Sequence, residues 1–394
     1  MNLTIGQEKG LQVAIDRYKK NKPYTVISGY AGTGKSFLVS VIISALGLSS
    51  DDVAYVSFTG KAALVLANKG CPNATTAHKL LYKSILLPDG KYAHIPLEQL
   101  EYPYRIIVVD EVSMLPQEMW DLLLKHKVHV IALGDPGQLE PISGTNEILT
   151  NPHVFLDEIV RQSLDNEIIK LSMDIREGKP LSFFQGKDVM VLPGSALTSG
   201  MLTWADQILV ATNNKRKEIN RLMKELEGKN PDIPQDGDKV ICTRNYWDIV
   251  GSKGNALVNG SIGTISRSFQ TYFNLPFYMN MPKIDILHCD FKSEDGNEYC
   301  DLDCGYSQMI TGEDPIPTDI RYRLLKNKKL NHLIPYEFEY GYAITAHKSQ
   351  GSEWDKVLVI EEKSFPRATK EKIKWLYTAI TRASKKLVII QKEQ

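Results

Sequence analysis

At positions 29 to 36 the chain reads Gly29-Tyr30-Ala31-Gly32-Thr33-Gly34-Lys35-Ser36, a complete G-x-x-x-x-G-K-[ST] pattern. The β-branched and aromatic run before it, residues 24–28, predicts a buried strand, and the apolar run after it, residues 37–46, predicts a buried helix. Glycines in such a loop let backbone N–H groups surround phosphate oxygens, and the helix N-terminus adds partial positive charge. Lys35 can reach those phosphates, and the Ser36 hydroxyl can ligate Mg²⁺. A glycine-rich turn could match by chance, but the flanking strand and helix favour a phosphate-binding loop.

The composition limits the classes of protein to consider. The chain has 394 residues, enough for two or three domains, and its 47 Lys and Arg residues balance 47 Asp and Glu residues. Zero net charge argues against a polybasic binder but allows a local basic groove. None of the five cysteines forms a C-x-x-C pair, so reduced thiols are favoured over a partial metal site at Cys289, Cys300 and Cys304. The N-terminus lacks an apolar targeting region and no run of about 18 apolar residues occurs, so we expect a soluble intracellular protein.

Two further predicted strands end in polar side chains. The apolar run after Arg105 is followed by Asp110 and Glu111, and core strands rarely end in paired acids without a use. Asp110 can hold Mg²⁺ directly or through water, and Glu111 can orient and deprotonate a water molecule. The run at 128–133 ends in a turn containing Gln138, whose amide can hydrogen-bond a γ-phosphate. A plain Pro-Gly turn would look the same without that glutamine.

Polar residues also open two helices. Thr59 and Lys61 lie where a strand at 53–58 meets a helix, which is the edge at which open α/β sheets bind ligands. Thr75 and His78 open another helix. Its N-terminus suits a phosphate of a nucleotide or of a nucleic-acid backbone, although helix capping explains the threonine equally well.

Two features lie outside this pattern of strands followed by helices. Gln7 lies on a helix predicted over residues 4–20, and its position alone does not distinguish a functional residue from a solvated one. Residues 84–98 predict two short strands about a Pro-Asp-Gly-Lys turn. This stretch is a candidate β-hairpin projecting from the first domain.

A second α/β core is predicted to begin at residues 207–214, where a strand runs into a polar helix start. From Gly237 to about Pro335, strand-like pieces separated by turns predict a small β-barrel inserted into that core. The core resumes with buried strands at 357–360 and 387–390.

The order of these motifs resembles that of superfamily 1 helicases, and within them the RecD/Dda-type 1B branch. The matching strings are the phosphate loop, Thr59-Gly60-Lys61, Asp110-Glu111, Gly134-Asp135-x-x-Gln138-Leu139-x-Pro141, Leu156-Asp157-Glu158-Ile159-Val160-Arg161-Gln162, residues 342–353 and residues 376–383. The resemblance implies an α/β fold of two RecA-like P-loop NTPase cores, with a pin-like β-hairpin in the first core and an SH3-like β-barrel in the second. The implied segments are 1–157 for the first core, 158–236 and 336–394 for the second, and 237–335 for the barrel.

The resemblance also implies roles for individual residues. The implied catalytic set is Lys35, Asp110, Glu111, Gln138, Arg161 and Arg382, with both arginines reaching the γ-phosphate. The implied nucleotide-binding set is Gln7, Gly29, Gly32, Thr33, Gly34, Lys35, Ser36, Gly351 and Glu353, with Gln7 reading adenine. Ser36 and Asp110 would hold Mg²⁺. The implied contacts to single-stranded DNA are Thr59, Lys61, Thr75, His78, Thr345, His347 and Ser349.

By the same resemblance the protein is an ATP-dependent DNA helicase that translocates 5′→3′, with ATP and Mg²⁺ as cofactors and a role in DNA replication, recombination or repair. Its expected partners are single-stranded DNA, 5′-tailed duplex DNA and single-strand-binding or replication proteins, with no membrane and a monomeric chain. The alternative is a DNA-dependent ATPase that clamps or remodels nucleoprotein without unwinding. A nuclease subunit is disfavoured because no further carboxylate cluster appears. No motif accounts for residues 269–282 or 308–333, and the basic residues of the latter favour a solvated helix face over a DNA contact.

Overall fold

A computed structural model describes residues 3–71, 73–87, 92–140, 147–159, 166–362 and 369–392. The chain divides into two compact units. The first comprises Met1–Tyr82, Pro96–Ala211 and Ala346–Gln394, and the second comprises Lys83–Ile95 and Thr212–Thr345. These bounds do not coincide with the four segments predicted from the sequence, whose domain assignment stays a prediction.

The N-terminal part of the chain alternates strands and helices. Its strands are β1 (Tyr24–Gly29), β2 (Val53–Ser57), β3 (Thr75–Thr76), β4 (Tyr82–Leu86), β5 (Tyr92–Pro96), β6 (Ile106–Val109), β7 (His129–Gly134) and β8 (Val154–Leu156). Its helices are α1 (Ile5–Lys19), α2 (Lys35–Ala45), α3 (Gly60–Asn68), α4 (Ala77–Leu81) and α5 (Gln117–Lys125). Six of the strands form the first sheet, in the order β3-β2-β6-β7-β1-β8 and with every recorded pair parallel.

The first sheet is buried on both faces, as its unbroken apolar strands predict. Along β7, Val130 joins a core that contains Trp120 of α5, whereas Ile131 and Leu133 join a core that contains Leu38 of α2. Because successive side chains of a strand alternate between faces, one strand serves both cores. The polar residues that follow these strands are therefore held at one edge of a rigid sheet.

The first unit contains a second α/β layer. Its strands are β9 (Phe184–Gln185), β10 (Val189–Pro193), β11 (Gln207–Val210), β20 (Trp354–Ile360) and β21 (Ala383–Gln391). Its helices are α6 (Glu167–Arg176), α7 (Ser199–Trp204) and α11 (Lys370–Ile380). Within this unit the second sheet has the order β11-β20-β21-β10-β9, parallel except for β9. The α/β class predicted from the sequence is thus confirmed.

The second unit is rich in β-structure. Its strands are β12 (Lys239–Cys242), β13 (Tyr246–Val250), β14 (Ala256–Leu257), β15 (Ile262–Asn274), β16 (Lys283–Ser293), β17 (Glu298–Gly305), β18 (Phe338–Tyr340) and β19 (Ala343–Thr345). Its helices are α8 (Asn213–Leu226), α9 (Tyr306–Thr311) and α10 (Thr318–Lys326). Five strands form an antiparallel sheet in the order β17-β16-β15-β12-β18. The two longest strands, β15 and β16, pair as a ribbon up to Asn274 and Lys283.

A buried ion pair attaches α8 to this antiparallel sheet. The side chains of Lys224 and Asp238 are fully buried, with Nζ 2.5 Å from Oδ2, and Lys224 Nζ also donates to the carbonyl of Ile233 at 2.7 Å. Burial lowers the pKa of Lys224, and the hydrogen bond and charge of Asp238 oppose that shift. A buried ammonium group without a carboxylate partner would be strongly destabilising, so this ion pair fixes α8 to the segment that leads into β12.

β4 and β5 form a separate two-stranded sheet, with the Ser84 hydroxyl 3.0 Å from Nδ1 of His94. The turn between them, residues 88–91, lies outside the described residues. All five cysteines are free thiols. Over the part of the chain that the structure describes, no helix is long and apolar enough to cross a membrane, and no three His, Cys, Asp or Glu side chains cluster as metal ligands.

Candidate functional site

The phosphate loop connects β1 to α2, as its sequence predicts. Gly32 and Gly34 adopt positive φ values of 80° and 75°, which side chains disfavour. At Gly29 a Cβ would come within 2.9 Å of both Leu156 and the Thr33 hydroxyl. The glycines of the motif are therefore required by the backbone path and by the close packing of the loop.

The loop is closed by its own lysine. Lys35 Nζ donates to the carbonyls of Gly29 at 2.7 Å and Tyr30 at 3.0 Å. Ser36 is exposed in the first turn of α2. The ammonium group thus lies within the loop and can exchange carbonyl oxygens for phosphate oxygens by a change of side-chain rotamer.

Gln7 anchors α1 to the phosphate loop. Its Oε1 accepts from the backbone N–H of Thr4 at 3.1 Å in a capping box, and its Nε2 donates to the carbonyl of Thr33 at 3.0 Å. The side chain is 2% exposed. Reading an adenine would require Gln7 to exchange one of these bonds for a bond to the base, so that role stays a prediction.

Three strand ends meet at one edge of the first sheet. β1, β7 and β6 are neighbours, so the phosphate loop, Asp135 and Asp110 follow adjacent parallel strands. Such an edge is where open α/β sheets bind ligands. Burial raises the pKa of both aspartates and the Lys35 charge opposes that rise, which places its ammonium group near them.

The paired acids have an unusual local structure. Burial and the neighbouring Glu111 charge raise the pKa of Asp110 to about 6, while the Glu111 backbone N–H and Lys35 oppose the shift. Asp110 Oδ1 accepts that N–H at 2.9 Å. Glu111 has φ 52° and ψ 45°, a left-handed conformation that costs a non-glycine residue about 1–3 kcal/mol. Backbone strain of this kind is concentrated at functional sites.

This donor set suits Mg²⁺. A hydroxyl at Ser36 and a carboxylate at Asp110 are hard oxygen ligands, and Mg²⁺ in nucleotide sites takes one or two protein oxygens and fills the rest with water and phosphate. The raised pKa of Asp110 also indicates a carboxylate whose charge lacks full compensation, which a cation would supply.

A tyrosine that the sequence analysis did not select connects the two sheets at the phosphate loop. Tyr377 on α11 is 1% exposed. Its hydroxyl accepts the backbone N–H of Ala31 at 3.0 Å and donates to Asp135 Oδ2 at 2.7 Å. A Cβ on Gly137 would lie 2.9 Å from the Tyr377 ring. Burial raises the pKa of Asp135 and that of Tyr377, so the hydroxyl remains a proton donor.

A second contact to the loop comes from α6. The Cζ atom of Arg176 lies 3.5 Å from the centroid of the Tyr30 ring, and the Phe155 ring packs edge-on at 5.1 Å from Tyr30. Cation–π contacts of this type stabilise by about 0.5–2 kcal/mol. The variable second position of the motif is thus fixed by an arginine of the second α/β layer.

The segment after β7 contacts the second layer over several residues. The backbone N–H of Leu139 donates to the Thr378 hydroxyl at 3.0 Å. Gln350 Nε2 lies 3.4 Å from Oε1 of Gln138 and 3.3 Å from the Leu139 carbonyl. Gln138 therefore lies between the end of β7 and Gln350, and its bond to a γ-phosphate stays a prediction.

Gly351, in the motif at 342–353, lies against the start of α3 in the first unit. Gly351 has φ 78°, and a Cβ there would be 2.7 Å from Cβ of Ala62. The backbone N–H of Ala62 donates to the hydroxyl of Thr59 at 3.2 Å, so Thr59 caps the N-terminus of α3. Two of the segments predicted to bind DNA, at Thr59-Gly60-Lys61 and at Ser349, thus belong to neighbouring stretches of the first unit.

The other residues predicted in this motif differ in exposure. Burial lowers the pKa of His347, so its ring is neutral at pH 7. Ser349 is buried and donates to the carbonyl of Ala346 at 2.7 Å. Glu353 is exposed, and Thr345 is a buried residue at the end of β19 in the second unit.

Thr75 and His78 lie at the start of α4. Thr75 is partly buried, whereas the ring of His78 lies between those of Phe58 and Tyr82, at centroid distances of 5.6 and 6.0 Å. The sequence predicted a role for His78 but for neither of its aromatic neighbours. Their sequence signal was an aromatic residue at the end of a strand and of a short helix, which core packing also produces.

Arg161 and Arg382 are the two arginines predicted to reach the γ-phosphate. Arg382 is buried, and its guanidinium donates to the Thr378 carbonyl at 3.1 Å, the Ser352 carbonyl at 3.3 Å and the Thr381 hydroxyl at 3.2 Å. These partners all lie in the second α/β layer. Arg161 lies outside the described residues.

Two family models match the chain. One is described as an AAA domain and matches residues 6–188, and the other is described as a UvrD-like helicase C-terminal domain and matches residues 340–390. Together they cover the first α/β layer and parts of the second, and they leave β10, α7, β11 and most of the second unit unmatched.

Curated relatives and solved structures agree with these matches. The chain is 26% identical over 388 residues to the ATP-dependent RecD2 DNA helicase of Deinococcus radiodurans, covering 91% of this chain and 45% of that protein. It is 28% identical over 195 residues to the ATP-dependent DNA helicase dda of Enterobacteria phage T4, covering 45% of this chain and 43% of that protein. These matches span less than half the length of either relative. A Bacteroides Pif1 helicase in complex with ADP-AlF3 and ssDNA is similar over 100% of this chain and 94% of that chain, with a TM-score of 0.57 and 17% identity, which shows a shared fold.

Proposed function

We propose that the chain, which resembles the RecD/Dda-like group of superfamily 1B helicases, is an ATP-dependent DNA helicase that moves 5′→3′ along single-stranded DNA. The observation that supports this most directly is the Tyr377 hydroxyl, which joins the phosphate loop of one α/β layer to a helix of the other. Hydrolysis at that loop can therefore act on the relative position of the two layers.

In the proposed reaction Lys35 leaves the loop carbonyls and binds the β- and γ-phosphates of ATP. Ser36 and Asp110 would hold Mg²⁺, which would supply positive charge against the phosphates. Glu111 orients the attacking water and accepts its proton, and Gln138 hydrogen-bonds the γ-phosphate. Arg161 and Arg382 stabilise the charge that develops in the transition state, a contribution worth roughly 10³–10⁵ in rate for arginine fingers.

The proposed DNA track uses the predicted residues of the first unit together with two aromatic neighbours. Thr59 and Lys61 would contact backbone phosphates, and His78 with Phe58 and Tyr82 would offer ring faces to the bases. Ser349, which is buried and donates to the Ala346 carbonyl, would position its own stretch and not touch the strand. Phosphate contacts make such binding fall steeply with salt. Nucleotide-driven movement of the two α/β layers would then grip the strand alternately and give directed stepping.

Translocation polarity is the first test. The one sizeable gap between the motifs is the β-rich stretch at 237–335, and the 5′→3′ branch carries a β-rich insertion at this place. We therefore expect unwinding of a 5′-tailed duplex and little unwinding of a matched 3′-tailed duplex. The measurement is strand separation with ATP, with Lys35→Ala as the inactive control. Unwinding from a 3′ tail alone would contradict the branch assignment. ATP turnover stimulated by DNA with no unwinding of either duplex would favour the alternative, an ATPase that clamps or remodels nucleoprotein.

We propose that β4 and β5 are the strand-separating pin and that the antiparallel sheet of the second unit is the SH3-like insertion. Shortening residues 86–93 to a tight turn should leave single-strand-stimulated ATP turnover within about twofold and reduce unwinding by at least about tenfold, because a pin acts at the duplex junction and not at the nucleotide. Both rates are measured on the same preparation. A parallel loss of both would instead assign the hairpin to the core.

Tyr377 provides a test of the connection between the two layers. Tyr377→Phe removes the hydroxyl that Ala31 and Asp135 share and keeps the ring that packs on Gly137. A buried group left without its partner costs about 1–3 kcal/mol, so we expect ATP turnover to fall by about five- to 150-fold, with a smaller change in KM. Steady-state kinetics with and without single-stranded DNA measure this. Turnover equal to that of the parent would show that the hydroxyl only fills space.

A further inference from the structure

The two stretches without a sequence motif pack together in the second unit. We name residues 269–283, at the end of the β15–β16 ribbon, the arm, and residues 318–332, which contain α10, the basic segment. Leu275 and Met279 of the arm share a hydrophobic core with Ile320 and Leu324 of the basic segment. The exposed side chains of both stretches therefore belong to one small packed element.

The arm exposes aromatic rings to an unusual degree. Phe277 is 94% exposed and Tyr278 54% exposed, and their ring centroids are 6.2 Å apart. Phe269 and Tyr272 on the ribbon are also more than half exposed. Four such rings on one stretch exceed the scattered apolar residues expected on a surface, and they indicate a surface that is covered by a ligand.

The basic segment gives the element a strong local charge. It contains five Lys and Arg residues and one acidic residue, although the whole chain has zero net charge. Arg321 is buried and paired with Asp314 and Glu337. Lys326, Lys328 and Lys329 are exposed, and none of the ion pairs recorded among the described residues involves them.

We propose that the arm and the basic segment form an accessory site for single-stranded nucleic acid. Lys326, Lys328 and Lys329 contact successive phosphates, and Phe277 and Tyr278 stack on bases. Exposed rings and exposed lysines on one packed element are what such sites require, because every base has a π-face and the backbone is a polyanion. Lys326 Nζ lies 5.6 Å from the centroid of the Tyr322 ring, a contact that leaves its charge available to a phosphate. A second copy of the chain or an apolar protein partner would suit the rings but not the concentrated positive charge. The inference rests on the proposed function, since it adds a second contact for the same kind of substrate.

The test compares three full-length variants with the parent chain. Lys326→Glu/Lys328→Glu/Lys329→Glu removes the phosphate contacts, and Phe277→Ala/Tyr278→Ala removes the stacking surface. Lys19→Glu/Lys22→Glu/Lys125→Glu is the matched control, with the same change in charge at exposed positions of the first unit. The affinity for a fluorescent 20-nucleotide oligothymidylate, and for an abasic strand of the same length, is measured by anisotropy at several salt concentrations. Thermal unfolding and ATP turnover without DNA check that each variant is folded.

We expect the lysine variant to lose at least about tenfold in affinity and to reduce the slope of log K against log salt by about 2, because single strands contribute about 0.7 per phosphate contact. The aromatic variant should lose at least about fivefold in affinity for oligothymidylate, the smallest loss that stacking on one base predicts, and bind the abasic strand as the parent does. Equal affinities for both variants and the control would overturn the site. So would a change in oligomeric state with unchanged DNA affinity, which would assign the rings to self-association. A parent chain that binds neither strand would refute the proposed function, and the inference with it.

Discussion

Lys35→Ala is expected to abolish ATP turnover, by at least about a hundred- to a thousandfold, while the chain stays folded and still binds single-stranded DNA. The ammonium group is the charge within the phosphate loop, where it now contacts the Gly29 and Tyr30 carbonyls. Alanine leaves those carbonyls accessible to water and removes the cation that would meet the β- and γ-phosphates. The glycines and α2 still determine the backbone of the loop, so the fold does not depend on this side chain.

The measurement is DNA-stimulated ATP hydrolysis, with thermal unfolding and DNA anisotropy on the same preparation. Lys22→Ala is the matched control, since Lys22 is exposed at the end of the turn before β1. Substantial turnover in a folded Lys35→Ala chain would reject the assignment of the phosphate loop. Loss of DNA binding as well would indicate that the loop also supports the DNA track.

The features predicted correctly from the sequence are those that local pattern determines. The phosphate loop was predicted with its strand and helix because glycines, β-branched residues and a helix start stand next to one another in the chain. The apolar runs before Asp110 and Gln138 predicted buried strands, since a parallel sheet buried on both faces needs unbroken apolar sequence. The site edge followed from the rule that parallel strands present their carboxyl ends together.

The features that were missed depend on contacts between distant residues. Tyr377 reaches Ala31 across 346 positions, and the motif at 376–383 that contains it gave a role only to Arg382. The same holds for Arg176 on Tyr30 and for the rings beside His78. The arm and the basic segment match no sequence motif. They form one element only because they share a hydrophobic core, and neither stretch alone predicts that core. The chain also groups α8 with the β-rich unit, through a buried ion pair that periodicity does not reveal.

Arg382→Lys is expected to reduce ATP turnover by roughly 10³–10⁵, the range of arginine fingers, with nucleotide binding retained. The Arg382 guanidinium now bonds three oxygens of the second layer, and the finger role requires it to exchange at least one of them for a γ-phosphate oxygen. Lysine keeps the charge but lacks the planar fork that can bridge a protein oxygen and a phosphate at once. The substitution should therefore weaken stabilisation of the transition state and leave the affinity for ATP in the ground state nearly unchanged.

Two nucleotide ligands separate a role in the transition state from a role in binding ATP. Affinities for a non-hydrolysable ATP analogue and for ADP with aluminium fluoride are measured on Arg382→Lys and on Arg221→Lys, a control whose arginine pairs with Asp232 on the surface. A finger contributes mainly to the second ligand, because that ligand imitates the transferring phosphoryl group, so only its affinity should fall strongly in Arg382→Lys. Equal losses for both ligands would instead mean that Arg382 acts through the packing of α11 against Ser352. In that case Arg161 would be the remaining candidate finger, and Arg161→Lys should show the selective loss.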